Sequence, residues 1–211
     1  MNPDVSNLLT MLVLAILFAT DWGTRYVRGS RLQVAHWVVL FVCIGIFGFF
    51  EVRIHRVPIH LGSVLVLLAV FAYAATIGKM GRKLHFLCAA VTAAACCFVL
   101  MTLFPYDPAF YLLDERYLHP AVAVASAYLF SREPLFSLNA SAAGILLAGI
   151  AHDSRLAAVT GVIRVGGSDL LDLVCTTVIL SFLVDLLVVL AEFLLAKMNR
   201  RSAGRLEGDA T

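Results

Sequence analysis

Four polar residues recur along one face of the longest apolar stretch of the chain. Thr177, Ser181, Asp185 and Glu192 follow one another at steps of four, four and seven within Leu170–Ala196. At about 100° per residue they fall inside an arc of roughly 80°, so a helix would carry them as one stripe. Asp185 is the informative member, because hydrocarbon is a poor solvent for a carboxylate. Two roles fit it. One is a protonatable or cation-binding element facing a polar cavity, with Ser181 one turn away to share a hydrogen bond. The other is a neutral acid that glues two helices together, an interaction worth about 1 kcal/mol.

A second group lies in the segment FPYDPAFYLLDERYLHP from Phe104, which holds Asp107, Asp114, Glu115 and His119. Glu115 and His119 are one helical turn apart and can meet on one face. An acid–histidine pair can act in general acid–base catalysis or ligate a metal. The interleaved aromatic residues equally suit an interfacial recognition loop. No H-E-x-x-H, G-x-S-x-G or phosphate-binding glycine loop accompanies them. Asp169, Asp172 and Thr176 form a third cluster at the start of the last apolar stretch, where acids complement a helix dipole. His152, Asp153 and Arg164 flank Leu156–Val165, and Arg164 is a candidate counter-charge for Asp169 or Asp172. His36, His60, His85 and His119 each stand near the start of an apolar run, as boundary residues do.

The elements that must position these residues follow from composition. Of 211 residues, 61% are hydrophobic and 14% charged, with mean hydropathy +0.92. A soluble domain carries about 25% charged residues. The apolar residues come in blocks, so the fold class is an all-α polytopic transmembrane helix bundle of about seven helices. Expected spans are Val5–Thr20, Leu32–Phe50, Val57–Ile77, Leu84–Phe104, Tyr117–Phe130, Pro134–Ala151 and Leu170–Ala196. Proline opens the sixth, at Pro134, and His119–Pro120 suits a first turn of the fifth. Ser168 is an expected N-cap for the seventh. Leu156–Val165 is too short to span and reads as an interfacial segment, with a re-entrant segment as the alternative. Residues 1–198 form one transmembrane domain, and 199–211 a short polar cytoplasmic tail.

Lysine and arginine set the orientation. Seven spans with the N-terminus outside place eleven of the sixteen basic residues inside and five outside, as the positive-inside rule asks. Met1–Asn7 lacks a basic residue, so the first apolar stretch reads as a retained helix rather than a cleaved signal. Cys43, Cys88, Cys96, Cys97 and Cys175 all fall in apolar runs without a C-x-x-C pair, the pattern of small core residues. No metal, cofactor or nucleic acid is expected; the partners are the lipid bilayer and other membrane proteins, with any small-molecule ligand unspecified. Ala89, Ala90, Ala93, Ala94 and Ala95 permit close helix contact in the fourth span.

Ala15 and Ala19 form a small-xxx-small pair that is similar to the coupling element of energy-coupling-factor vitamin transporter subunits, which implies a substrate-binding transport subunit. A broader likeness rests on Trp22-Gly23, Arg25 and Arg28-Gly29 after a short first helix, and on the Gly-Gly-Ser-Asp-Leu-Leu-Asp-Leu run from Gly166. In these features the chain resembles the YphA-type membrane proteins of endospore-forming bacteria. That resemblance implies a bacterial cytoplasmic- or spore-membrane protein linked to spore envelope assembly, and it supplies no catalytic residue. The expected function is therefore a non-enzymatic scaffold or accessory subunit. The alternatives are a transport subunit working through Asp185 and an enzyme using the outer acid–histidine loop.

Overall fold

The computed structural model describes residues 3–20, 22–30, 32–54, 57–106, 114–161 and 166–208. Eight α-helices account for nearly all of it: α1 (Pro3–Ala19), α2 (Thr24–Gly29), α3 (Val34–Phe47), α4 (Leu61–Thr76), α5 (Met80–Leu103), α6 (Glu115–Phe130), α7 (Pro134–Thr160) and α8 (Ser168–Gly208). A short 3-10 turn, Phe104–Tyr106, extends α5. Three segments are long and apolar enough to cross a membrane: Met80–Tyr106, Pro134–Ala158 and Asp169–Lys197. Val5–Ala19, Val34–Phe47 and Leu61–Thr76 are shorter apolar helices.

The molecule is built around α7, whose span-length window is 78% buried against 28% for α5 and 33% for α8. Its sequence explains the placement. Small residues let neighbours approach: a side chain at Gly144 would come within 2.6 Å of the Ala93 Cβ on α5. Ala89 and Ala93 are fully buried there, as the alanine run anticipates. Two buried polar side chains of α7 close on their own helix, with Asn139 Nδ2 donating to the Leu135 carbonyl (2.8 Å) and Ser141 Oγ to that of Leu138 (3.1 Å). The outward faces are the reverse. Leu68 and Phe71 on α4, Leu87 and Val91 on α5, and Leu186 and Leu190 on α8 all stand exposed. So continuous an apolar exterior suits lipid and not water.

Cross-contacts define two ends. Arg155 reaches Thr102, Arg116 approaches Asp172, and Ser63 Oγ donates to the Gly166 carbonyl, all at one end. Arg82 pairs with Glu133, and His85 Nε2 meets the Phe130 carbonyl, at the other. A β-hairpin marks the first end: β1 (Glu51–Ile54) pairs antiparallel with β2 (Val57–His60), Glu51 opposite His60 and Val52 opposite Ile59. The opposite, tail end carries α2.

Four sequence expectations change here. Val57–His60 belongs to the hairpin and not to the third span, since Val52, Ile54, Val57 and Ile59 give the alternating β-branched pattern of a ribbon. Leu156–Thr160 is the last turn of α7, which ends on Gly161 in the left-handed conformation (φ 71°). The expected interfacial segment is thus helical continuation up to that glycine, and residues 162–165, including Arg164, lie outside the described residues. α6 starts at Glu115, so Pro120 sits in its second turn rather than its first. Finally, the backbone of α8 continues through the expected polar tail to Gly208, and Ser168 is its first helical residue rather than its cap. Pro134 opens α7 as expected.

Candidate functional site

The structure separates the stripe on α8 into a buried part and an exposed end. Thr177, Ser181 and Asp185 are all buried, while the Glu192 side chain is 67% exposed. Thr177 Oγ1 donates to the carbonyl of Leu173 (2.7 Å), closing on its own helix. Ser181 does not share a hydrogen bond with Asp185. Its hydroxyl lies 3.5 Å from that of Ser141 on α7, and its carbonyl accepts from the hydroxyls of Tyr26 (3.4 Å) and Tyr128 (3.5 Å).

Asp185 has a charged partner that the sequence reading did not pair with it. Arg25 on α2 donates from Nη1 to Asp185 Oδ1 at 2.9 Å, and its Nη2 lies 4.0 Å from Glu192. The guanidinium therefore clasps two acids two turns apart on one helix face. Its side chain is 44% exposed against 10% for Asp185, so the charge of Arg25 still touches the boundary while its partner is covered. Local sequence explains how α2 is held there. A Cβ at Gly23 would fall 2.6 Å from the Phe18 ring, so the chain turns tightly past that side chain. Tyr26, next to Arg25, packs on Phe182 of α8 with ring centroids 4.3 Å apart. Burial pushes the Tyr26 hydroxyl well above the ordinary tyrosine range, which keeps it a neutral donor.

Asp185 stands seventeen positions after Ser168, about 26 Å along the helix, and a little past the middle of the candidate crossing segment Asp169–Lys197.

The hairpin end is arranged differently. A cavity of about 460 Å³ opens between α5, α6, α7 and α8. Four carboxylates border it: Glu115 from α6, Asp153 from α7, and Asp169 and Asp172 from α8. Arg116, 4.0 Å from Asp172, is the one guanidinium among the lining residues. His119 and His152 complete its polar wall. His119 is 3% exposed, with Nδ1 turned back to the Glu115 carbonyl (3.0 Å) and, among the described residues, no hydrogen-bond partner for Nε2.

Of the expected outer-loop group, Glu115 and His119 thus reach one cavity. Asp114 serves instead as the N-cap of α6, accepting from the Arg116 N–H at 3.0 Å. Asp107 lies outside the described residues. The carboxylates that join His119 come from α7 and α8, where Asp169 and Asp172 were read as helix-dipole acids. Thr176 Oγ1 donates to the Asp172 carbonyl (2.9 Å) and takes no part in the cavity wall. His60 lies 3.7 Å from Glu51 across the hairpin. His36 is exposed. Among the described residues, no group of three or more His, Cys, Asp or Glu side chains could hold a metal ion.

No curated protein and no solved structure matches the chain at a significant level. A family model does: the one described as YphA-like integral membrane protein matches residues 22–207. That match begins at Trp22, after α1, and runs from α2 to the far part of α8. With the apolar exterior and the helices of crossing length, it places this chain in the family of YphA-like integral membrane proteins.

Proposed function

We propose that the protein is a non-enzymatic, multi-pass component of a bacterial cytoplasmic membrane, acting as a scaffold or accessory subunit. In this reading it crosses the bilayer seven times, with the N-terminus outside and the tail end of the bundle inside. The distribution of basic side chains supports the orientation. Arg25, Arg28, Lys79, Arg82, Lys83 and Arg132 belong to the tail end. The observation that carries the functional reading is the Arg25–Asp185 pair. A proton-relay acid must exchange its proton with water along a path. This one is covered and taken up by a guanidinium from another helix, which makes it a fastening between α2 and α8.

Two measurements test the proposal. Reporter fusions at the N-terminus and after α8 are expected to land in opposite compartments; both in one compartment would remove the seven-crossing arrangement. Cross-linking in native membranes followed by mild-detergent purification is expected to return a reproducible stoichiometric protein partner. A chain that purifies alone after efficient cross-linking would overturn the scaffold reading.

A further inference from the structure

A basic corner at the tail end, where α4 gives way to α5, plays no part in the scaffold reading. Lys79, Arg82 and Lys83 stand there, and Arg132 and Glu133 come just before α7, so these two stretches hold four bases and one acid. The acid is already taken, because Glu133 pairs with Arg82. Lys79 and Lys83 are exposed and form no ion pair among the described residues. A cavity of about 370 Å³ opens beside them, and its wall includes Tyr73, Lys79, Arg82 and Glu133. A second observation concerns what continues from the lysines. The crossing segment of α5 begins at Met80, which puts Lys83 in its first turn. On the ridge formed by every fourth residue, Lys79 and Lys83 are followed by Leu87, Val91, Ala95 and Val99. Leu87, Val91 and Val99 are each more than half exposed. From Leu87 to Val99 the ridge is about 18 Å long, a little more than one leaflet of a layer about 30 Å thick.

We infer that this corner binds one anionic phospholipid, its phosphate held by Lys79 and Lys83, its headgroup in the adjoining cavity and an acyl chain along Leu87, Val91 and Val99. Each part selects for that occupant. Two ammonium groups without counter-ions at a membrane boundary favour an anionic headgroup over a zwitterionic one. Lys83 has a stem long enough to leave the apolar face and carry its charge to headgroup level. Glu133 would repel a phosphate if it were free, but its pairing with Arg82 cancels that charge and leaves the lysines as the net field. The cavity falls within the roughly 300–1,000 Å³ range of small-molecule sites. The ridge decides between sources of phosphate, since it runs from the lysines directly into the hydrocarbon and only a lipid covers both. The positive-inside rule accounts for basic residues at this end. It does not ask for a cavity among them, or for an acid neutralised at its wall.

The test uses the full chain in nanodiscs of equimolar phosphatidylglycerol and phosphatidylcholine with matched acyl chains. Native mass spectrometry of the released protein reads the lipid it keeps. The wild type is expected to retain one phosphatidylglycerol, about tenfold or more in preference to phosphatidylcholine. Lys79→Gln combined with Lys83→Gln should bring the two lipids close to parity. Arg28→Gln combined with Lys197→Gln removes the same charge from exposed positions at the same end and should leave the preference intact. Glycerol 3-phosphate at ~10 mM serves as the soluble competitor and should displace nothing. Circular dichroism establishes that the variants fold; if the doubly substituted lysine variant does not, Lys83→Gln alone decides, with a loss of about threefold expected. The inference is overturned if folded wild-type protein keeps both lipids equally, or if the lysine variant keeps the wild-type preference. It is also overturned if the Arg28 and Lys197 control loses the preference as fully, which would make the attraction general, or if glycerol 3-phosphate displaces the lipid, which would make the site one for soluble phosphate. None of these outcomes depends on whether a protein partner is found.

Discussion

The two ends of the bundle hold their charged groups in different ways. At the tail end, one guanidinium satisfies Asp185 and reaches Glu192, two tyrosine hydroxyls meet one carbonyl, and aromatic rings fill the space around Phe18. At the hairpin end, Glu115, Asp153, Asp169 and Asp172 border a cavity, and among the described lining residues Arg116 is the guanidinium beside them, 4.0 Å from Asp172. The paired acid at the tail end marks where two helices are fastened, whereas the hairpin end gathers its acids around an open space.

The sharpest way to break this contrast is Arg25→Ala. It leaves Asp185 covered without its counter-charge, a change that costs about 3–5 kcal/mol at fully buried pairs. Because Arg25 is 44% exposed, the expected loss is nearer ~2 kcal/mol after screening by solvent. Thermal denaturation in detergent should show it. Asp185→Asn in the same background should restore part of the loss, since the double change leaves no charge unpaired. If Arg25→Ala leaves the melting temperature unchanged, the tail end is not fastened by this pair.

A smaller effect separates the two ends along α7. At Gly144 the neighbour is Ala93, whose Cβ and backbone cannot move aside, so Gly144→Ala should cost about 1–2 kcal/mol. At Gly149 the neighbour is the flexible end of Leu170, a cavity-wall residue, although the approach is nominally closer at 2.4 Å. Gly149→Ala should cost less than about 1 kcal/mol, because the leucine can turn into the cavity. Equal losses in chemical denaturation would mean that the hairpin end is packed as tightly as the middle.

Asp169→Asn should move stability least, within about 0.5 kcal/mol. It gives up a favourable helix-dipole interaction and relieves repulsion from Asp172 one turn on. Parallel melting curves would check the balance. A loss as large as that of Arg25→Ala would place an unrecognised fastening at the hairpin end.

Much of this was legible in the residues. Blocks of apolar sequence located most of the helices, Pro134 fixed the start of α7, and the step pattern put Thr177, Ser181 and Asp185 on one buried face. What escaped was non-local or conflicted with a simple length rule. Arg25 and Asp185 are 160 positions apart, and no local signal pairs them. A counter-charge for a deep acid can be sought among arginines that follow a span, but several qualified. The hairpin was hidden because Val57–His60 runs without a break into the apolar helix α4, although Glu51–Ile54 repeats the same β-branched alternation in mirror order. The cavity was half visible. Glu115 with His119, and Asp169 with Asp172, each stood out as a pair, but only the packing of α6 beside α8 makes them one wall.

The length of α8 has a mechanical corollary. Forty-one helical residues make a rod about 61 Å long, twice the hydrocarbon thickness of about 30 Å. Leaning alone cannot hide it, since that would need an inclination of roughly 60°, beyond the range of about 0–40° found for membrane helices. The rod must stand clear of the lipid by several turns, like a mast stepped through a deck, with Arg25 bracing it at Asp185 and Glu192.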